Sequence, residues 1–309
     1  MPTVTVDGIR TRYEVRGSGP PLLMFSPGGF DAVLENWSTH GIYRRTGLLD
    51  RLVEQHTCVL FDRREAGGSG GRVERVTWRD YAEQGKGLLD HLGIERAALV
   101  RGCVGCSAAA AFAVRYPQAT AAMVLYSPAG GARYRMLQHA RFGAHLAFAA
   151  ECGPVAVAAV ARSTTAGFAA DPRIGPWGSL LRTDDAFAAG FARLDGERYQ
   201  GIVASLVATM FDRDSVPGPE PAELLMLDVP ALVVPGQDAS HATSAARFLQ
   251  ECLPAAQYWD APVAEQTPQT APARVLEFLI AAQLSPRRPV TRRAPARPPC
   301  PGATGAAPP

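Results

Sequence analysis

The residues whose types and spacing could do chemistry centre on Cys103, in Leu99-Val100-Arg101-Gly102-Cys103-Val104-Gly105-Cys106-Ser107. Residues 97–101 form a short apolar run, a hard turn follows, and an alanine-rich stretch from about Val104 to Tyr116 has helical composition. A cysteine between such a strand and such a helix stands at a helix N-terminus, where unpaired N–H groups and the positive end of the dipole favour a thiolate. The N–H of Val104 would point at an oxyanion. In Pro27-Gly28-Gly29, two glycines after a proline permit close backbone approach. Far along the chain, Asp238 and His241 lie three residues apart in Gly236-Gln237-Asp238-Ala239-Ser240-His241. That spacing lets a carboxylate orient an imidazole towards a thiol.

These side chains need elements to hold them. Thr3–Val6 and Ile9–Val15 alternate apolar and polar residues across Asp7-Gly8, which predicts a hairpin. Continuous apolar runs at Pro21–Ser26, Cys58–Asp62, Ala97–Arg101, Ala122–Tyr126 and Val229–Pro235 predict strands covered on both faces. Helical patterns at Leu48–Val53, Trp78–Leu92 and Val104–Tyr116 come between them. Strand and helix in alternation predict an α/β fold with a mostly parallel sheet and right-handed crossovers.

The alternation stops near Gly130 and resumes at Val229, and the stretch between has only helical patterns. We read an inserted helical cap at 131–228, dividing the core into 1–130 and 229–284. The resumed core ends with a helix at Thr243–Cys252, a short strand at Gln257–Asp260 and a helix at Ala273–Ala282. From Ser285 to Pro309, proline, arginine, glycine and alanine dominate, a composition that predicts disorder.

With these elements placed, the chain resembles the α/β-hydrolase superfamily from about residue 4 to residue 283. The resemblance rests on the leading hairpin, Phe61-Asp62-Arg63-Arg64-Glu65-Ala66-Gly67-Gly68-Ser69-Gly70, the turn at Cys103 and Pro235-Gly236-Gln237-Asp238, which follow the family's order. It resembles a bacterial subset that carries Pro-Gly-Gly after the third strand, cysteine at the nucleophile elbow and Gly-x-Asp-x-x-His after the seventh, here Pro27-Gly28-Gly29, Cys103 and Gly236–His241. The resemblance implies that Cys103 is the nucleophile, Gly28, Gly29 and Val104 supply the oxyanion hole, and Asp238 is the orienting acid.

Two departures stand out. The family keeps small residues two before and two after the nucleophile; Gly105 meets this and Arg101 does not. Setting Val104 at the apex would place Gly102 well but leave no nucleophile, and Ser107 would need a strand four residues longer. The family's general base follows the eighth strand, where Ala261–Pro268 has no histidine and Glu265 occupies the corresponding place. A carboxylate is a poor base for a thiol, the proton transfer being about 5–6 kcal/mol uphill from reference values. The base is therefore His241 or Glu265. His40, His139 and His145 are weaker candidates for facing the same pocket.

Composition narrows the partners. Residues 285–309 hold five arginines and no acid, leaving 26 basic against 29 acidic residues, net −3, on the rest. That argues against nucleic acid as a partner. No signal peptide and no uncharged apolar stretch of membrane-spanning length is evident. The six cysteines lack framework or zinc spacing, so neither the Cys103/Cys106 pair nor any other group predicts a metal or redox cofactor. A reduced, cytoplasmic setting follows, with a homodimer left open. An aromatic-rich cap suits a hydrophobic small molecule. Cysteine-based chemistry on an ester, thioester or lactone is the leading expectation. The alternatives are a non-hydrolytic enzyme of secondary metabolism (addition, elimination, cyclisation or carbon–carbon bond formation) and a non-catalytic ligand-binding protein.

Overall fold

In the computed structural model, which describes residues 1–284, the continuous apolar runs become the middle strands of one eight-stranded sheet. The elements in chain order are β1 (Thr3–Val6), β2 (Ile9–Arg16), β3 (Pro21–Phe25), α1 (Asn36–Thr39), α2 (Gly41–Thr46), α3 (Leu48–Val53), β4 (Thr57–Phe61), α4 (Trp78–His91), β5 (Ala97–Cys103), α5 (Gly105–Arg115) and β6 (Thr120–Pro128). There follow α6 (Ala132–Ser163), α7 (Gly178–Thr183), α8 (Asp185–Phe191), α9 (Gly196–Met210), α10 (Pro221–Leu225), β7 (Ala231–Val234), α11 (Thr243–Cys252), β8 (Ala256–Tyr258) and α12 (Thr270–Leu284). The strand order is β1-β2-β4-β3-β5-β6-β7-β8. The pairs β1–β2 and β2–β4 are antiparallel, and the rest of the sheet is parallel.

The parallel strands end on one edge, and that edge is where loops from β3, β5 and β7 meet. Register makes this concrete: Phe25 of β3 pairs with Arg101 of β5, and Tyr126 of β6 pairs with both Gly102 of β5 and Val234 of β7. Leu23, Val59, Leu99 and Val233 bury one face under α4, α5 and α11, while Leu22, Leu60, Val100 and Val234 bury the other under α3 and α12. Apolar burial on both faces is why these strands read as unbroken runs rather than alternating ones. A capping box of Thr77 and Asp80 starts α4, satisfying two N–H groups that the helix itself leaves open.

Among the described residues no strand occurs between β6 and β7; α6 to α10 fill the interval. Their aromatic side chains form a third apolar cluster that takes in Phe30, Tyr81, Val104 and Ala108 from the sheet side. Phe30 meets Phe142 and Phe168 edge to face at 5.5 and 5.6 Å, a favoured arrangement for rings. The inserted helices thus sit over the edge at which β5 ends.

Three observations differ from expectation. Strand β5 continues two residues to Cys103, carried by its pairing with β6. The short helices α1 and α2 follow the Pro-Gly-Gly turn where the sequence pattern marked none. Helix α6 is, by length and composition, apolar enough to cross a membrane, whereas the sequence expectation was that no stretch qualifies. It carries Arg141 and Glu151, breaks at Gly153 (φ 74, ψ 173) before Pro154, and packs Phe142 and Val157 into the third cluster. The tail from 285 to 309, expected to be disordered, lies outside the described residues.

Gly102 is the residue of the sheet edge with no room to spare. A Cβ there would collide with the phenol of Tyr43, which is buried against Trp37 and Tyr126 and cannot step aside. Gly102→Ala should lower unfolding free energy by about 1–3 kcal/mol, the usual cost of overpacking, measured from urea midpoints at unchanged slope.

Candidate active site

The turn after β5 is sharp because Cys103 adopts the left-handed conformation, φ 56. For a residue with a Cβ this costs roughly 1–2 kcal/mol, so surrounding contacts must hold it. The Cys103 carbonyl accepts a hydrogen bond from the N–H of Ala129 at 3.2 Å, and Gly102 is wedged against Tyr43. The next residue, Val104 (φ −59, ψ −21), is already helical and caps α5. Of the three registers open to the sequence, the apex is therefore Cys103. Ser107 lies inside α5, fully buried.

Arg101, the large residue where a small one was expected, fits because of Gly105. Its guanidinium lies on the ring of Phe25, and its chain runs past Gly105, where a Cβ would stand 3.3 Å from Nη1 and 3.5 Å from Cδ. The close-approach requirement is met from the helix side alone.

Asp238 and His241 occupy the loop between β7 and α11. The Asp238 carboxylate accepts from the backbone N–H groups of Ser240 and His241 at 2.8 and 3.0 Å. Its two oxygens each lie 2.8 Å from His241 Nδ1. One carboxylate thus shapes the turn and orients the ring. Gly236 leaves the space, since a Cβ there would collide with that of His241. A bridge between Gly130 and His241 ties the loop to the end of β6.

The other ring nitrogen, Nε2, is buried and has no hydrogen-bond partner, and Cys103 lies near enough to act on the ring's titration. Burial pulls the imidazole's pKa down, but hydrogen bonding and charge from Cys103, and then from Asp238, outweigh it and leave His241 raised to about 9. Asp238 is held below the usual carboxylate range: partial burial raises it, and hydrogen bonding to His241 and the loop N–H groups more than offsets that.

Gly28 (φ 122) and Gly29 (φ 62) take backbone conformations that suit glycine. The side chain of Asn36 secures this turn, donating to the carbonyls of Pro27 and Asp31 at 2.8 and 2.9 Å. Space beside Gly29 is open, with nothing within 4 Å of where a Cβ would stand.

Glu265 is not brought to this group. It is exposed at the end of a short 3-10 turn, Val263–Glu265, on a surface groove with Trp259, Arg274 and Glu277. Its neighbour Gln266 turns inward instead, bonding to Tyr126 Oη at 2.9 Å and donating to the carbonyls of Pro235 and Ala261. This corrects the expectation that Glu265 is an alternative base: the loop spends its inward position on an amide that braces β6 and β7.

The remaining histidines also lie elsewhere. His40 is exposed between α1 and α2, and His139 is exposed and bonded to the Phe211 carbonyl. His145 is fully buried between the Pro172 carbonyl and Tyr199 Oη, and burial pushes it down to about 4. Cys106 faces the carbonyls of Arg101 and Tyr126, unbridged to Cys103.

The sequence reading missed Tyr134. It is buried early in α6, edge to face with Phe211 at 5.8 Å, and its hydroxyl is held well above the usual phenol range by burial and then by nearby Cys103. Its only sequence signal was position, six residues after β6 ends.

Comparison with known proteins agrees with this architecture. A family described as having the alpha/beta hydrolase fold matches residues 21–145. The dihydrolipoyllysine-residue acetyltransferase component of the acetoin cleaving system of Cupriavidus necator is 34% identical over 125 residues, 40% of this chain and 31% of that protein. The chain thus matches less than a third of the length of this relative. Among solved structures, the enol-lactonase from Burkholderia xenovorans superposes with TM-score 0.59 at 21% identity, covering 90% of this chain and 100% of that one. A meta-cleavage product hydrolase from Pseudomonas fluorescens gives 0.57 at 18%, over 91% and 98%. An esterase from Thermogutta terrifontis gives 0.56 at 19%, over 91% and 98%.

Because the folded-state pKa of His241 lies above its unfolded value, its contribution to stability is complete below about pH 6.5 and is lost as pH rises through about 9. In an NMR titration, the His241 ring protons should change with a midpoint near 9. In Cys103→Ala the midpoint should fall, because burial remains while the largest upward influence is gone.

Proposed function

From an α/β-hydrolase fold with a thiol at its sharpest turn, we propose that this protein is an enzyme of cysteine-based acyl chemistry on a hydrophobic ester, thioester or lactone. The observation that carries the reading is His241, oriented by Asp238 through Nδ1, with Nε2 buried and free of other partners and Cys103 close enough to raise the imidazole. A raised imidazole pKa beside a cysteine is the condition for an imidazolium–thiolate pair, in which the nucleophile is charged before substrate arrives.

In this mechanism Cys103 Sγ attacks the substrate carbonyl carbon, and the carbonyl oxygen becomes an oxyanion facing the N–H groups of Gly29 and Val104. The imidazolium of His241 gives its Nε2 proton to the leaving oxygen or sulfur as the tetrahedral intermediate collapses to an acyl-Cys103. Water, deprotonated by the neutral His241, then adds to the acyl carbon and expels Cys103 as thiolate, which releases the acid and restores the imidazolium–thiolate pair. Asp238 keeps Nε2 turned towards the reaction and stabilises the imidazolium.

The roof of Phe30, Tyr134, Phe142, Phe168 and Phe211 supports the hydrophobic substrate class. Free thiols at Cys58, Cys103, Cys106, Cys152 and Cys252 support a reducing compartment, the cytoplasm.

Incubation with activated aryl esters should produce an acyl adduct on Cys103, seen by intact mass and peptide mapping and absent from Cys103→Ala. Asp238→Asn should slow acylation by about a hundredfold or more. No adduct across esters, thioesters and lactones overturns the proposal. Turnover surviving in Cys103→Ala would instead assign proton-transfer chemistry to His241 alone.

A further inference from the structure

Helix α6 runs regularly from Ala132 until it breaks at Gly153, and in its most apolar eighteen-residue stretch only 28% is buried. Tyr134, Gln138, Phe142, His145 and Ala149 form its inner face, at the spacing of three or four residues that one side of a helix requires. The outward side of such a helix is ordinarily polar. Here it is not. Met136 is 61% exposed and Leu137 39%, and Ala140, Gly143, Ala144 and Ala147 follow them, all exposed. A glycine in mid-helix is unfavourable relative to alanine. A Cβ at Gly143 would nonetheless meet nothing of its own chain within 4 Å, so nothing inside the fold asks for a glycine there.

The charges on this side sit at its two ends. Arg133 and Glu151 are exposed, and among the described residues neither side chain has an ion-pair or hydrogen-bond partner. They lie eighteen residues apart, about five full turns, and so point the same way along a line of about 27 Å. Polar residues to either side of that line are engaged within the chain: Arg135 with Asp214, His139 with the Phe211 carbonyl and Arg141 with Gln138.

A line with a cation at one end, an anion at the other and an apolar middle is complementary to a second copy of itself run antiparallel. A two-fold axis level with Phe142 sets Arg133 of one protomer against Glu151 of its partner, at both ends at once. The same axis sets Ala140 against Ala144 at the centre, where small side chains let two helices approach closely. On the flanks it sets Leu137 against Phe148 and Met136 against Ala147. A parallel pair would place like charges together. A lipid surface matches less well, because anionic headgroups attract Arg133 but repel Glu151.

We propose that the outward face of α6, from Arg133 to Glu151, is the contact surface of an antiparallel homodimer of this chain. The surface does not depend on acyl chemistry at Cys103, since the inner face of the helix packs toward the elbow and the outer face meets the second copy.

Sedimentation velocity of the full chain from about 1 to 200 µM tests it. The wild type should pass from monomer to dimer over this range, with a dissociation constant that rises with salt. Arg133→Glu brings two acids together at each end of the pair, and Glu151→Arg two bases. Each should raise the dissociation constant about tenfold or more. Both positions are exposed, so the folded monomer should be unaffected. The double variant Arg133→Glu/Glu151→Arg restores opposite charges and should return the constant to within about threefold of wild type.

A wild type that stays monomeric throughout overturns the proposal, as does a dimer that neither single reversal weakens. Failure of the double variant to recover overturns the antiparallel pairing. Monomeric protein that instead pellets with vesicles of phosphatidylserine and phosphatidylcholine, more strongly as Glu151→Arg, assigns the face to a membrane and overturns the dimer.

Discussion

Cys103 is held with its backbone left-handed, φ 56, and the rest of the structure serves that constraint. A strand alone would relax it. Here β3 and β6 pair with β5 on both sides, the Cys103 carbonyl is bonded to Ala129, and Tyr43 closes against Gly102. The cost of the conformation, roughly 1–2 kcal/mol, is small beside the packing that enforces it. The result is a half-buried thiol at the sheet edge, packed against the apolar cluster of the inserted helices.

From that point the charges arrange themselves. Asp238 gives both oxygens to His241 Nδ1 while its loop N–H groups hold the carboxylate ionised. His241 thereby keeps Nε2 turned away from Asp238, and Cys103 and Asp238 together hold the imidazole raised. Beneath the turn the opposite holds. Burial pushes Arg101 well below its ordinary range, and the charge of nearby Arg63 adds to the effect. Arg64, the one other buried arginine among the described residues, meets acids, whereas these two stand beside the elbow without one.

Much of this was legible from residue order. The strands came from unbroken apolar runs, since burial on both faces leaves no polar alternation to confuse, and Thr243–Cys252 matched α11 end to end. Local turns were also legible, because Pro27-Gly28-Gly29 and Gly102-Cys103 carry their conformational demands in their own side chains. What escaped was set by partners distant in sequence. Arg101 looked misplaced until Gly105 and Phe25 were seen to receive it. Tyr134 had no motif to mark it. Glu265 aligned with a base, yet one residue decided the matter: Gln266 takes the inward place and Glu265 faces out.

The sequence by itself determined the alternation of strand and helix, the inserted helical stretch, the thiol between β5 and α5, and the Asp238–His241 spacing, because each depends on neighbours within a few residues. Only the tertiary structure decided which acid or base meets Cys103. That choice depends on β6 and β7 pairing in register, which brings the loop after β7 to the turn after β5, across 138 residues of chain. It also decided that Arg63 and Arg101 share a cleft without an acid, a fact of three-dimensional charge balance that no single stretch of residues contains.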